Sequence, residues 1–159
     1  MKTLLLLRHA KSSWDAPDQP DHDRPLNDRG KRDAPRVGQL LNETRLRPAL
    51  VLSSTAKRAR KTAAKVLEAG GYALEVQLRR ELYLADVGTW VRVLQALPDE
   101  ANCVLAVGHN PGIEDLVQVL CGGRQTMPTA ALAHVELPVD SWSQLTTSTP
   151  CELRMLWTP

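Results

Sequence analysis

The chain has 159 residues, 43% of them hydrophobic and 24% charged, a composition that fits one soluble globular domain over residues 1–159. Its 20 Lys and Arg nearly cancel 18 Asp and Glu, and the net charge of +2 speaks against nucleic acid as the partner. The first apolar run stops at Arg8, whereas a secretory segment takes roughly 7–15 apolar residues and a membrane span roughly 20, so a cytoplasmic protein without a membrane partner is expected.

Residues 3–7 are apolar without alternation and read as a strand buried on both faces, followed directly by Arg8-His9-Ala10. A long polar loop leads to a helix over 28–45. Asp28 is its expected cap, Ala34, Val37, Leu41 and Thr44 share one face, and Arg47-Pro48 ends it. Residues 50–52 form a second strand. Ser53-Ser54-Thr55 then opens a basic helix running to Ala69, with Ala59, Ala63, Val66 and Gly70 as its packed stripe and Gly70-Gly71 as its stop. A weakly alternating third strand covers 74–78. Asp86 opens a further helix with Trp90, Val91, Leu94 and Leu97 inward and Pro98 beyond its end.

The fourth strand, 103–107, is as apolar as the first and runs into Gly108-His109-Asn110-Pro111-Gly112. The helix over 112–121 turns Ile113, Leu116, Val117 and Leu120 inward. Two strands close the chain, 132–137 and 152–157, around a Pro-, Ser- and Thr-rich surface loop at 138–150. This alternation predicts an α/β fold: a three-layer α/β/α sandwich on a mainly parallel sheet, its last strands antiparallel at an edge. The strands 3–7 and 103–107 should be adjacent and central.

Ligands of parallel sheets bind beyond the carboxyl ends of the strands. Arg8 and His9, Arg58 and His109 would reach one such edge from three different strands. A phosphoryl group carries a charge near −2 and is bound by fixed positive donors. The start of the basic helix adds free N–H groups and a positive dipole end, and Ser53, Ser54 and Thr55 add hydroxyls. Two imidazoles and two guanidinium groups at one edge suit a histidine nucleophile acting on phosphorus, with cations spread over the equatorial oxygens.

These residues also resemble a family. Arg8-His9-Ala10, the segment Ser54 to Ala63 and Gly108-His109-Asn110-Pro111-Gly112 are similar, in order, to three motifs of the histidine phosphatase, or phosphoglycerate-mutase-like, superfamily. Arg8-His9-Ala10-Lys11-Ser12-Ser13-Trp14, with Asp23-Arg24-Pro25-Leu26 and Leu82-Tyr83-Leu84-Ala85, resembles its short bacterial phosphohistidine phosphatase branch. The resemblance implies a phosphatase in which His9 becomes phosphorylated and water then cleaves the intermediate. Arg8, Arg58 and His109 would hold the phosphoryl oxygens. Larger members place a general acid after the third strand, and Glu81 is the positional candidate here. A leaving imidazole, pKa ~6.5, departs as a neutral base if its ring already carries a proton, so a weak or missing acid favours phosphohistidine over a phosphate ester.

No residue set has metal-ligand spacing, so a metal-independent reaction without cofactors is expected. His22, among Asp15, Asp18, Asp21 and Asp23, reads as solvated or as bordering the site. Trp14 walls the entrance or covers core, and Cys103, Cys121 and Cys151 read as reduced thiols. The expected partner is a phosphohistidine-bearing protein, within signalling by protein dephosphorylation. A small phosphate ester or nucleotide as substrate, or a binding module without turnover, are the alternatives, and the oligomeric state is open.

Overall fold

The computed structural model describes residues 1–159. A single six-stranded sheet runs through the molecule: β1 Lys2–Arg8, β2 Leu50–Ser54, β3 Val76–Arg79, β4 Cys103–Gly108, β5 Leu132–Leu137 and β6 Glu152–Trp157. The strand order is β3-β2-β4-β1-β5-β6. β1, β2, β3 and β4 are mutually parallel, while β5 runs antiparallel to β1 and β6 antiparallel to β5. The helices are α1 Asp28–Glu43, α2 Lys57–Gly70, α3 Val87–Gln95 and α4 Gly112–Cys121.

The leucine run explains the three layers. Side chains alternate across a strand, so Leu4 and Leu6 point to one face and Leu5 and Leu7 to the other. Leu4 and Leu6 join a cluster with Trp90 and Leu94 of α3 and Ile113, Leu116 and Val117 of α4. Leu5 and Leu7 join a second with Val37 and Leu41 of α1 and Ala59, Ala63 and Val66 of α2. All four leucines are fully buried, and each contributes about 1.5–3 kcal/mol by leaving water. β1 and β4 are neighbours inside the sheet, as their uniform apolarity predicts.

The structure corrects several details. Asn27, not Asp28, caps α1: its extended backbone lets its side chain accept from the Gly30 amide at 2.9 Å. That helix ends at Glu43, ahead of a left-handed Arg45, so Thr44 is an exposed cap rather than part of the packed face. The third strand covers 76–79 rather than 74–78; it is an edge strand, and Leu78 is exposed. The 138–150 segment is more than surface loop. It carries a short 3-10 turn whose Trp142 is fully buried and donates from Nε1 to the Ala101 carbonyl at 2.8 Å. Asp86 caps α3 by accepting from the Thr89 amide, as its position before the apolar stripe predicts. None of the helices is long and apolar enough to cross a membrane.

Candidate active site

The register of the two central strands sets the site. Arg8 pairs with Gly108, so His9 and His109 emerge side by side at the carboxyl edge. The His9 amide donates to the Gly108 carbonyl at 3.0 Å, and the Ala130 amide donates to the Arg8 and His9 carbonyls, both at 3.1 Å. The two imidazole centroids stand 5.1 Å apart. A side chain at Gly108 would collide with the Trp90 ring, so glycine lets β4 run hard against α3 just before His109.

Arg58 enters from the first turn of α2, with Nε 3.4 Å from Nε2 of His9. Thr62, one turn later, accepts from the Ala10 amide at 3.0 Å and donates to the Arg58 carbonyl at 2.6 Å. That bridge ties the His9 loop to the helix that carries Arg58. Arg8 is anchored by donation from Nη1 to the Met127 carbonyl at 3.1 Å. Arg8, His9, Arg58 and His109 therefore converge. His9, Arg58 and His109 are 7%, 3% and 2% exposed.

Hydrogen bonds assign the imidazole protons. Nδ1 of His9 lies 2.8 Å from the carbonyl oxygen of Ala10, which can only accept. The proton therefore sits on Nδ1, and Nε2 carries the lone pair toward Arg58. Burial chiefly pushes the His9 pKa down, to about 4; the bond to Ala10 opposes this, and the charges of Arg58, Arg8 and Arg24 add to it. Burial likewise takes His109 down to about 3, with His9 and Arg58 pushing the same way. Nε2 of His109 is 2.8 Å from the Ser54 hydroxyl, while its buried Nδ1 and the buried Nε of Arg8 have no partner. With Ser54 donating to Nε2, neutral His109 offers Nδ1–H as a donor, and Arg8 offers its Nε–H.

Sequence reasoning missed three participants. Asp21 lies against Arg58, its carbonyl accepting from Nη1 at 2.7 Å and its Oδ2 from Nη2 at 2.9 Å. The Tyr83 hydroxyl donates to that same Oδ2, and Arg24 donates from Nε to Oδ1 at 3.1 Å. Partial burial pushes the Asp21 carboxyl up, but the bonds from Tyr83 and Arg58 and the charges of Arg58 and Arg24 outweigh it and take it down to about 2. The acidic loop and the Leu82-Tyr83-Leu84-Ala85 string were visible in sequence, but nothing marked which carboxylate would meet Arg58. Ser54 was visible as a hydroxyl donor, and its partner proves to be His109. Thr55 bonds His22 at 2.8 Å, and Ser53 donates to the Ser54 carbonyl.

The structure does not bring Glu81 to this group. Glu81 is exposed and lines a separate hollow with Thr89, Arg92, Val93 and Ala96, because the 3-10 turn over 80–82 directs it toward α3. Its neighbours Arg80 and Tyr83 line instead a hollow of about 470 Å³ with His22 and Thr55. His22 thus borders the site, its ring edge-on to Tyr83. Trp14 is 70% exposed, so it covers no core; the Arg24 guanidinium stacks on its ring at 3.4 Å. The thiols are unpaired, and burial pushes Cys103 and Cys151 up to about 11, which leaves them unreactive.

Known proteins of similar sequence and structure identify the family and the fold. An uncharacterised chloroplastic protein of Arabidopsis thaliana is 34% identical over 90% of this chain and 70% of its own. A candidate phosphohistidine phosphatase, SixA, from Agrobacterium tumefaciens superposes with a TM-score of 0.84 at 30% identity, covering 99% of this chain and 98% of its own. The protein histidine phosphatase SixA complexed with tungstate gives a TM-score of 0.82 at 26% identity, over 97% and 95%. A profile of the histidine phosphatase superfamily (branch 1) matches residues 4–120, which hold Arg8, His9, Arg58 and His109 alike. With that match over most of its length and the phosphoglycerate-mutase-like sheet beneath it, the chain belongs to the histidine phosphatase superfamily, branch 1.

Proposed function

We propose that this protein hydrolyses protein-borne phosphohistidine through a phosphoryl intermediate on Nε2 of His9. The observation that carries the reading is the bond from His9 Nδ1 to the Ala10 carbonyl. It presents an unprotonated Nε2 beside Arg58, with Arg8 and His109 at hand. Nε2 attacks phosphorus, the substrate's P–N bond breaks, and its imidazole leaves with the electron pair. If that ring is protonated on its other nitrogen, it leaves neutral. Water then attacks phosphorus and the P–Nε2 bond breaks. His9 leaves as a neutral imidazole because Ala10 has kept Nδ1 protonated. Arg8, Arg58 and the Nδ1–H of His109 stabilise the charge on the equatorial oxygens in both steps.

The supply of acids supports nitrogen-bound phosphoryl groups. Glu81 faces another hollow. Asp21 is ionised and held by three donors. Glu114 spends Oε1 on the Asn110 side chain at 2.8 Å and the Met127 amide at 2.7 Å. An alkoxide needs a proton to leave, whereas a protonated phosphoimidazole does not. The SixA neighbours, one named a candidate phosphohistidine phosphatase and the other a protein histidine phosphatase, favour the same substrate.

The test is to trap the intermediate. The protein is mixed with a phosphohistidine protein labelled on phosphorus, quenched in base, which preserves P–N bonds, and mapped. Base-stable, acid-labile label on His9, absent from His9→Ala, is expected. Label on serine or cysteine, or full activity in His9→Ala, refutes it.

A further inference from the structure

The Arg58 head offers two edges of N–H donors. Asp21 occupies the terminal edge completely, its carbonyl taking Nη1 and its carboxylate taking Nη2. Nε, on the other edge, faces Nε2 of His9. At 3% exposure the guanidinium has almost no water to orient it, so its partners decide where it points. Asp21 is itself held from two sides, by the Tyr83 hydroxyl on Oδ2 and by Arg24 on Oδ1. The Tyr83 ring stands edge-on to His109, centroids 5.4 Å apart, which fixes the hydroxyl relative to the second imidazole.

We propose that Asp21 is a positioning residue, supported by the Tyr83 hydroxyl: by filling the terminal edge of Arg58 it turns the Nε edge toward phosphorus, and it serves the reaction through Arg58 alone. The proposal rests on the phosphatase reading above. Charge points the same way. Arg8, Arg24 and Arg58 all act on His9, and Asp21, which takes hold of Arg58 and Arg24, together with Glu114, which acts on Arg8, still leaves cationic charge for a phosphoryl group. An acid role would need Asp21 to carry a proton to give, whereas the donors on its carboxylate, Tyr83, Arg58 and Arg24, hold it ionised.

A double-mutant cycle tests this. Asp21→Ala, Arg58→Ala and the double variant are compared for kcat and KM on phosphohistidine, and for affinity toward tungstate as an oxyanion probe. Asp21→Ala should lower kcat about tenfold and Arg58→Ala about a hundredfold, with the double variant within about twofold of Arg58→Ala. Tungstate gives the sharper sign. Removing Asp21 should weaken binding in the native background, yet leave it unchanged or tighten it when Arg58 is absent, because the carboxylate then only repels the anion.

Losses that multiply in the double variant overturn the proposal, as does an Asp21→Ala protein that retains full kcat. Asp21→Asn keeps an acceptor for Nη2 and should fall between. If Asp21→Ala does not fold, Asp21→Asn and Tyr83→Phe complete the cycle, and Tyr83→Phe should cost activity only while Arg58 is present. A wild-type protein inert toward phosphohistidine would defeat the function proposed above, while the tungstate cycle would still decide the role of Asp21. Failure of the wild type to bind tungstate overturns the positioning role.

Discussion

Keeping two buried imidazoles neutral should make this protein lose stability in acid, and the size of the loss can be worked out. His9 titrates at about 4 in the folded protein against about 6.5 in the unfolded chain. Its folded pKa is depressed, so below 6.5 the unfolded state binds the extra proton. The stability linked to His9 is therefore complete above about pH 6.5 and is lost as pH falls through 4. At pH 4 the unfolded imidazole is almost fully protonated and the folded one half so, and the difference is about 3 kcal/mol. That is a large part of a total stability of about 5–15 kcal/mol. Carboxylates also titrate in this window, so the comparison is with His9→Asn, whose amide nitrogen, like Nδ1, is bonded to Cγ and can donate to the Ala10 carbonyl. Urea unfolding at pH 7.5 and pH 4.0 should show the native protein losing about 3 kcal/mol more than the variant. Equal losses would mean that His9 is not held neutral by burial, and the proton assignment at the site would fall with it.

Arg58→Ala removes one charged contact to the transferring group and should cost on the order of 3 kcal/mol, roughly a hundredfold in kcat/KM on every phosphoryl substrate, read by phosphate release. Because Arg58 is among the charges that depress His9, an NMR titration of that variant should find the His9 pKa raised. Glu81→Gln should leave the rate within about twofold on both phosphohistidine and an alkyl phosphate, since its carboxyl opens on another hollow. A large loss confined to the alkyl phosphate would instead make Glu81 the acid. Rates measured with and without a strong metal chelator should agree, and restoration of a chelated enzyme by one divalent ion would contradict the histidine mechanism.

How far the sequence reaches follows from the range of the forces it encodes. Strands β1 and β4 were readable because uninterrupted apolar runs allow only burial on both faces, and a run of that kind belongs in the middle of a parallel sheet. Once those strands are paired, Arg8, His9 and His109 reach one edge without further assumption, and Arg58 follows from its place one turn into the next helix. Local chemistry likewise marked Asp86 as a cap. Other features depend on contacts between segments far apart in the chain. Asp21 shares its loop with Asp15, Asp18 and Asp23, and only the packing of that loop over α2 selects it as the partner of Arg58. Glu81 and Tyr83 are two residues apart in an irregular turn, where no periodicity tells which side chain faces the imidazoles; the structure turns Tyr83 in and Glu81 away. Trp142 sits in a segment too polar to announce a core residue; it is buried by packing into the core cluster, where the Ala101 carbonyl satisfies its indole N–H. The periodic pattern of apolar side chains thus determined the layers and the edge where the chemistry gathers. The direction of each polar side chain was left to tertiary packing, because a hydrogen bond between distant segments has no signature until the fold brings donor and acceptor together.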